Sequence, residues 1–468
     1  MCVKTRSAMH PVLVVAATTA LWLGGATPSA PALQISQSSC VTDPVVTSNS
    51  DTGAHSLRDA IDTACDGSKI TFEFANTVAS RIVLTTELAI GKSLTVQGPG
   101  ANVLTISGNH VTRVFHVGFP NPVIGVTLSG LTIADGRVPS GNINGGGIWS
   151  AGTRTLTITN CAVSGNSVSK MDATVVGAGI YISRGGTVNV IDSLISDNSA
   201  SSNSLMVSGS GSDGGGIFND ISSTLNITNS TFFGNSALGG GIASASGGAI
   251  YNEGTLNVTN STFSGNIARG GGGRGGVGGG ITSEPPRGTA SLRNTLIAGN
   301  TADGSSHSDP DVSGPFISHG YNLIGKSVNN GLTNGVDHDQ VGVDPMLDPG
   351  GLQDNGGPTL TIALLPGSPA IDQGGAGATQ APTIPSPPIS AGSRGRSTIR
   401  VRTTLRAVTA LTSARSSSSP ARRPACLLPT RRWWPGIRST RARALCRRIS
   451  PQVTRGSKSE VPHLSQEW

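Results

Sequence analysis

Rings and charges are scarce in this chain. Aromatic residues make up 4% and charged residues 13% of its 468 positions. That excludes a wide globular core filled with aromatic side chains and leaves a narrow one filled by small aliphatics in layers. A chain this rich in Gly and Ser without such a core would stay disordered. Val, Ile and Leu recur in regular clusters, which argues against disorder. Long apolar runs are also absent beyond residues 12–25, so no later stretch can cross a bilayer as a helix. The six cysteines are few and scattered. Cys2 lies near the start, Cys426 and Cys446 lie in a basic tail, and Cys161 stands alone. Cys40 and Cys65 can form a disulfide if the chain is exported. Two unpaired thiols fit the sequence equally well.

The net charge of +7 is unevenly placed. Residues 394–468 hold 16 Arg, Lys458 and only two glutamates, which leaves residues 1–393 at −8. The basicity therefore marks no nucleic-acid surface on the folded part. At the other end, Lys4 and Arg6 precede the apolar run VLVVAATTALWLGG, and Ala30-Pro31-Ala32 fits a small-x-small cleavage site. Residues 1–32 read as a secretory signal, giving a secreted or cell-surface protein with no transmembrane span in the mature chain.

Residues 33–75 read as an N-terminal cap. Ser56 can cap a short helix beginning at Leu57, Asp59 sits where a capping-box acid belongs, and Leu57, Ile61 and Ala64 share one face. Short β-branched strands then follow one another. TLTITNCAVSGNSV, TVNVIDSLISDNSA, TLNITNSTFFGNSA, TLNVTNSTFSGNIA and TASLRNTLIAGNTA are five versions of one phrase. One Asn row falls at Asn166, Asn198, Asn235, Asn266 and Asn300, and another at Asn160, Asn229, Asn260 and Asn294, with Asp192 in place of Asn. Gly-rich motifs ending in Ile148, Ile180, Ile217, Ile250 and Ile281 separate the phrases. A fixed phrase with insertions on one side defines a solenoid. Each unit offers about three strands, so residues 76–318 are expected to form a right-handed parallel β-helix. The five isoleucines should stack on one interior line and Phe232 and Phe263 on another. The asparagines should form structural ladders. Gly/Ser segments 137–144, 200–213 and 269–277 read as variable loops and as the contact regions.

The phrases resemble the repeats of polymorphic outer-membrane proteins, whose signatures GGAI and FxxN match Gly247–Ile250, Phe232–Asn235 and Phe263–Asn266. SLRDAI (56–61) resembles the CSLREA motif of exported bacterial β-helix proteins, with His55 at the usual Cys position. GYNLIG (320–325), VDPML (343–347) and LQDNGGPTLTIALLPGSPAID (352–372) resemble the end of choice-of-anchor Q surface proteins, so residues 319–377 read as a C-terminal cap. The resemblance implies a β-helix at or outside the cell surface, and it implies no reaction.

Chemistry on such a solenoid needs clustered carboxylates. Between residues 120 and 300 the acids show no common repeat offset in this reading. The densest later group is Asp309, Asp311, Asp337, Asp339 and Asp344 with His307, His319 and His338. A hydrolase would pair Asp337 and Asp339 with His319; otherwise these residues mark turns. No cofactor is implied. No twelve-residue calcium-loop pattern occurs, so a Ca2+ site in these loops rests on the acids alone. The reading is a non-catalytic β-helix scaffold, adhesin-like or passenger-like, with surface glycans or proteins of a host or neighbouring cell as partners. The alternative is a polysaccharide lyase or glycoside hydrolase.

The tail from 378 to 468 breaks the pattern, turning abruptly to Arg, Ser and Pro. It reads as a frameshift with little order. Relatives with the choice-of-anchor Q ending continue with DQRG and finish near DIGAFE. Read from the third base of each codon, Thr383–Arg400 can encode NPITTDQRGQPRPFDHP, and Arg402–Ser417 can encode DDTAGGDGSDIGAFE. Sequencing the gene is expected to show both motifs at that one offset. Codons that cannot encode them would refute the frameshift.

Overall fold

A computed structural model describes residues 40–74, 80–120, 123–138, 141, 143–152, 154–204, 209–272, 274–303, 310–326 and 330–375. The signal segment, the tail after 377, His307 and Asp309 lie outside the described residues.

One coil shows how the sequence makes the fold. Thr224–Thr228 alternates outward Thr and Asn with buried Leu225 and Ile227, the period-2 pattern of a half-buried strand. Asn229 then turns the chain with a left-handed φ of 50°, which Asn tolerates better than β-branched residues do. Thr231–Phe233 follows, and Gly234 and the buried Asn235 form the next corner. After Ser236–Gly241 and Ser244–Ser246, Gly247 turns the chain at φ 63° into Ile250–Asn252. A Cβ at Gly247 would fall on the Ile250 carbonyl oxygen, so the corner requires glycine.

Repetition of this coil gives five parallel sheets, named here A to E in the order the chain visits them. Sheet A (with Thr224–Thr228) and sheet B (with Thr231–Phe233) have ten strands each. Sheets C and D, with Ser236–Gly241 and Ser244–Ser246, have five and four, and sheet E, with Ile250–Asn252, has eight. The chain is a parallel β-helix. Ile148, Ile180, Ile217, Ile250 and Ile281 are register partners on neighbouring strands of sheet E and are fully buried. Phe232 and Phe263 stack in register on sheet B with ring centroids 4.4 Å apart.

Between residues 155 and 283 each coil therefore has five strands where about three were expected, while the coils before residue 150 have three. Much of segment 200–213 and the two ends of segment 269–277 are not loop: Ser199–Ser204, Gly211–Asp213, Ile267–Arg269 and Gly276–Val277 belong to sheets C and D. In segment 137–144, Arg137 and Asn144 make single bridges to Ser167 and Val176. Together these pieces build a lobe on one corner of the coil. Its interior needs only small groups: Val168, Val175 and Ala200 in one cluster, Ala237, Ala245 and Ala268 in the next. Inward serines satisfy themselves there, as Ser202 Oγ does on the Ala173 carbonyl at 2.6 Å.

At the N-terminal end, Cys40 and Cys65 are disulfide-bonded. The helix Leu57–Thr63 is capped by Ser56 Oγ, which accepts from Asp59 N at 3.2 Å. The Asp59 carboxylate accepts instead from His55 N at 2.8 Å, one residue earlier than a capping box places it. Leu57, Ala60 and Ile61 join the coil core. At the other end, Leu323–Ile324 and Gln340–Val341 extend sheet B, so coils continue past residue 318. The antiparallel hairpin Leu347–Gln353 with Thr361–Leu364 runs back along the flank. Thr359 Oγ1 reaches the Asp192 carbonyl at 3.5 Å, and Gly375 N donates to Asn294 Oδ1 at 3.0 Å.

Candidate functional site

The first Asn row is a structural ladder inside the molecule. Asn166, Asn198, Asn235 and Asn266 are fully buried, and Asn300 nearly so. In the first four, the side-chain amide donates to the next coil's Asn Oδ1, at 2.8–2.9 Å. It donates as well to a backbone carbonyl of the preceding coil, such as Ile195 O for Asn235 at 2.8 Å. Donation runs in one direction, so the last member must only accept. Asn300 Nδ2 donates to Asp311 Oδ1 at 2.8 Å, and a carboxylate ends the ladder.

A second ladder was missed in the sequence. It passes from Cys161 N to Ser193 Oγ, then through Ser230 and Ser261 at the same place in later coils, and from Thr295 N to Asn322 Oδ1. It ends on Asp339 Oδ1, which accepts from Asn322 Nδ2 at 3.0 Å. Burial pushes the Cys161 thiol up to about 12.

The other Asn row sits at the left-handed corner between sheets A and B. Asn160, Asp192, Asn229, Asn260 and Asn294 have φ of 47–52°, and Asn294 Nδ2 donates to Asn260 Oδ1 at 3.1 Å. Of the hydrolase candidates, Asp339 is buried as a ladder end while Asp337 and His319 are exposed. Among the described residues, no side-chain hydrogen bond or ion pair joins the three. No three acidic, His or Cys side chains among the described residues converge as a metal site.

The outward face of sheet E carries a different arrangement. His116, Trp149, Tyr181, Phe218 and Tyr251 are register partners in one row across five coils. Their rings contact successively, with centroids 4.3, 6.3, 5.7 and 5.3 Å apart. Such cross-strand aromatic pairs stabilise a sheet and present apolar surface with polar tips. Beside them, Asp220, Glu253 and Glu284 each stand three residues after the buried Ile of their coil. Their backbone N–H groups donate to Ile182, Asn219 and Asn252 carbonyls, equivalent places one coil back. Three of the eight acids between 120 and 300 thus do repeat at one offset, which corrects the sequence reading for these three.

The end of sheet D forms the opposite edge. Asp213 and Ser246 are register partners, and Thr282 Oγ1 donates to the Val277 carbonyl at 3.1 Å, joining the two sheets. The ring row thus runs between the Asp220, Glu253 and Glu284 positions on one side and the Asp213 end of sheet D on the other, a strip termed the crease. Tyr181 Oη donates to Asp220 Oδ2 at 2.9 Å, and Arg287 pairs with Glu253 at 3.1 Å. Burial, then Asp213, Glu284 and Glu253, push the Tyr251 hydroxyl well above its ordinary range.

Burial also raises the Asp213 carboxyl to about 7, and the charges of Glu253 and Glu284 act the same way. A raised carboxyl favours the folded state when protonated. Its contribution is complete below pH about 4 and is lost as pH rises through 7. Asp213→Asn should flatten that part of the stability profile. The wild type should lose about 2 kcal/mol relative to this variant between pH 5 and 8, with part of the effect screened by solvent. Parallel profiles in denaturant unfolding would count against the enclosed carboxyl.

No protein-family model, no curated protein and no solved structure matches the chain. The crease itself was legible: an aromatic residue follows Ile in GGGIW, GAGIY, GGGIF and GGAIY, in a chain with few rings.

Proposed function

We propose that the chain is an exported, cell-surface β-helix scaffold that binds glycans along the sheet E crease without cleaving them. Its role would be adhesin-like or passenger-like. The signal-like N-terminus and the resemblance to polymorphic outer-membrane repeats and choice-of-anchor Q proteins support surface display. The crease carries the binding reading. It repeats ring and carboxylate at coil spacing, ~4.8 Å, and a linear site suits a linear polymer of similar residues.

One observation favours the second reading, a glycoside hydrolase. Burial raises the Asp213 carboxyl to about 7, with the charges of Glu253 and Glu284 acting the same way, the direction of shift a general acid needs. Incubation of the protein with polysaccharides separates the two. The scaffold reading expects retention on the polymer with no new reducing ends and no unsaturated products. Release of either product would overturn it.

A further inference from the structure

A solenoid frays from its ends, because each coil is held only by its neighbours. The two ends of this one differ. The N-terminal end is closed by the Cys40–Cys65 disulfide and the helix Leu57–Thr63. Toward the C-terminal end the strands shorten: Leu296–Ile297, Thr301–Ala302, Val312–Ser313, Ile317–Ser318, Leu323–Ile324 and Gln340–Val341 are two residues each. Strands this short give a coil few backbone bonds to the next. The hairpin Leu347–Gln353 with Thr361–Leu364 starts at this weak end and turns back over it.

Packing beneath the hairpin is incomplete. A space of about 100 Å3 lies between Leu347 and Ile362 of the hairpin and the coil corners at Ser230, Asn260, Asn294 and Tyr321. The hold therefore falls on particular anchors. Toward the tip, Thr359 Oγ1 reaches the Asp192 carbonyl at 3.5 Å. Phe233 stands outward on sheet B, where its register partners Ser196 and Ser264 are small. A Cβ on Gly351 would lie 3.4 Å from Phe233 Cζ, so the ring touches the hairpin backbone. The same ring covers Gly265 of the next coil, where a Cβ would lie 3.1 Å from Cε2. At the base, Ser368 Oγ donates to the Pro345 carbonyl at 2.5 Å and Gln340 Nε2 to the Pro369 carbonyl at 3.0 Å. Gly375 N donates to Asn294 Oδ1 at 3.0 Å.

We infer that the hairpin is a strap that couples the C-terminal coils to the middle of the solenoid, so that residues 289–341 open together with it and not coil by coil. A contact between neighbouring coils joins only one pair. The strap's base is bonded to the last coils, and its tip is held on the Phe233 coil and at Asp192. Opening the last coil therefore also loosens the contacts that the strap makes along the coils between. The outward Phe233 has a place in this device that the repeat alone does not give it, since a serine suffices there on the coils to either side.

Hydrogen–deuterium exchange on the full chain tests this with Phe233→Ser, which installs the residue that the adjoining coils already carry. Exchange should rise about tenfold or more in the hairpin and also in peptides spanning Leu296–Ile297 and Leu323–Ile324. Those strands lie two and three coils beyond Phe233. Leu94–Gln97 and Thr155–Thr159, on the far side of the tip, should keep the wild-type rate. Met171→Ser, which removes an apolar side chain 63% exposed on sheet C, is the control and should leave all of these peptides unchanged. A rise confined to Leu194–Ser196 and Thr262–Ser264, the strands beside Phe233, would overturn the strap, because the ring would then pack only locally. A rise in the hairpin with the last coils unmoved would overturn it as well, and so would no change in any peptide.

Discussion

Ile250→Asp is expected to lower stability by about 4 kcal/mol or more, the largest effect of any single change discussed here. Ile250 is fully buried, with Ile217 and Ile281 as its register partners on either side. A carboxylate there has no route to water and no cation within the interior row. The backbone cannot relieve it, because Gly248 and Ala249 on the approach to the strand donate to the Gly278, Gly279 and Gly280 carbonyls of the next coil. Ile250→Val serves as the control and should cost only about 1 kcal/mol. Denaturant unfolding reads both. A wild-type-like midpoint for Ile250→Asp would contradict the interior stack.

Asn235→Ala should cost about 3 kcal/mol. Asn235 Oδ1 accepts from both the backbone and the side chain of Asn198, at 3.3 and 2.9 Å. Its amide donates to Ile195 O and Asn266 Oδ1 at 2.8 and 2.9 Å. Truncation strands partners on both neighbouring coils at a fully enclosed corner. Asn257 gives the contrast within the same repeat. It also belongs to an Asn row, donating to Asn226 Oδ1 at 2.9 Å, but it lies on the exposed face of sheet A. Asn257→Ala should change stability by less than about 0.5 kcal/mol. Equal losses at the two sites would mean that the buried ladder is not what holds the corner.

These two residues also show how much of the fold the sequence disclosed. Period-2 alternation in TLNIT and TLNVT, a recurrent Asn and a recurrent Gly-Gly-x-Ile are local signals that each coil repeats. Stacking turns them into register without any further information. The lobe was not legible in the same way. SASSNS and SALGGG lack the β-branched apolar residues that mark a strand, because a narrow two-sheet lobe is filled by Ala and Ser. Its strands are held by backbone pairing with equally small neighbours. Asp311 and Asp339 were opaque for another reason. In sequence they look like turn acids, and only the one-way donation along a ladder explains a buried carboxylate at its end.

The candidate site was half visible. Its rings and its acids stand at fixed offsets from Ile in the Gly motifs, yet an acid-by-acid search of the chain passes over them. Asp220 and Glu253 become neighbours only when the coils are aligned on Ile217 and Ile250. Asp213 was beyond reach, since its place on the crease depends on strands the sequence did not announce. His116 likewise gains its partner Glu87 from a strand junction 29 residues earlier.

Hydrogen–deuterium exchange with a bound polysaccharide tests the central claim most directly, because it reads which face the polymer covers. Protection should rise in peptides spanning Phe115–Val117, Ile180–Ile182, Ile217–Asn219 and Ile250–Asn252, all on sheet E. Thr224–Thr228 and Thr255–Thr259 on sheet A should be unchanged. Protection confined to sheet A, or to the C-terminal hairpin, would contradict the assignment of the sheet E crease as the binding face.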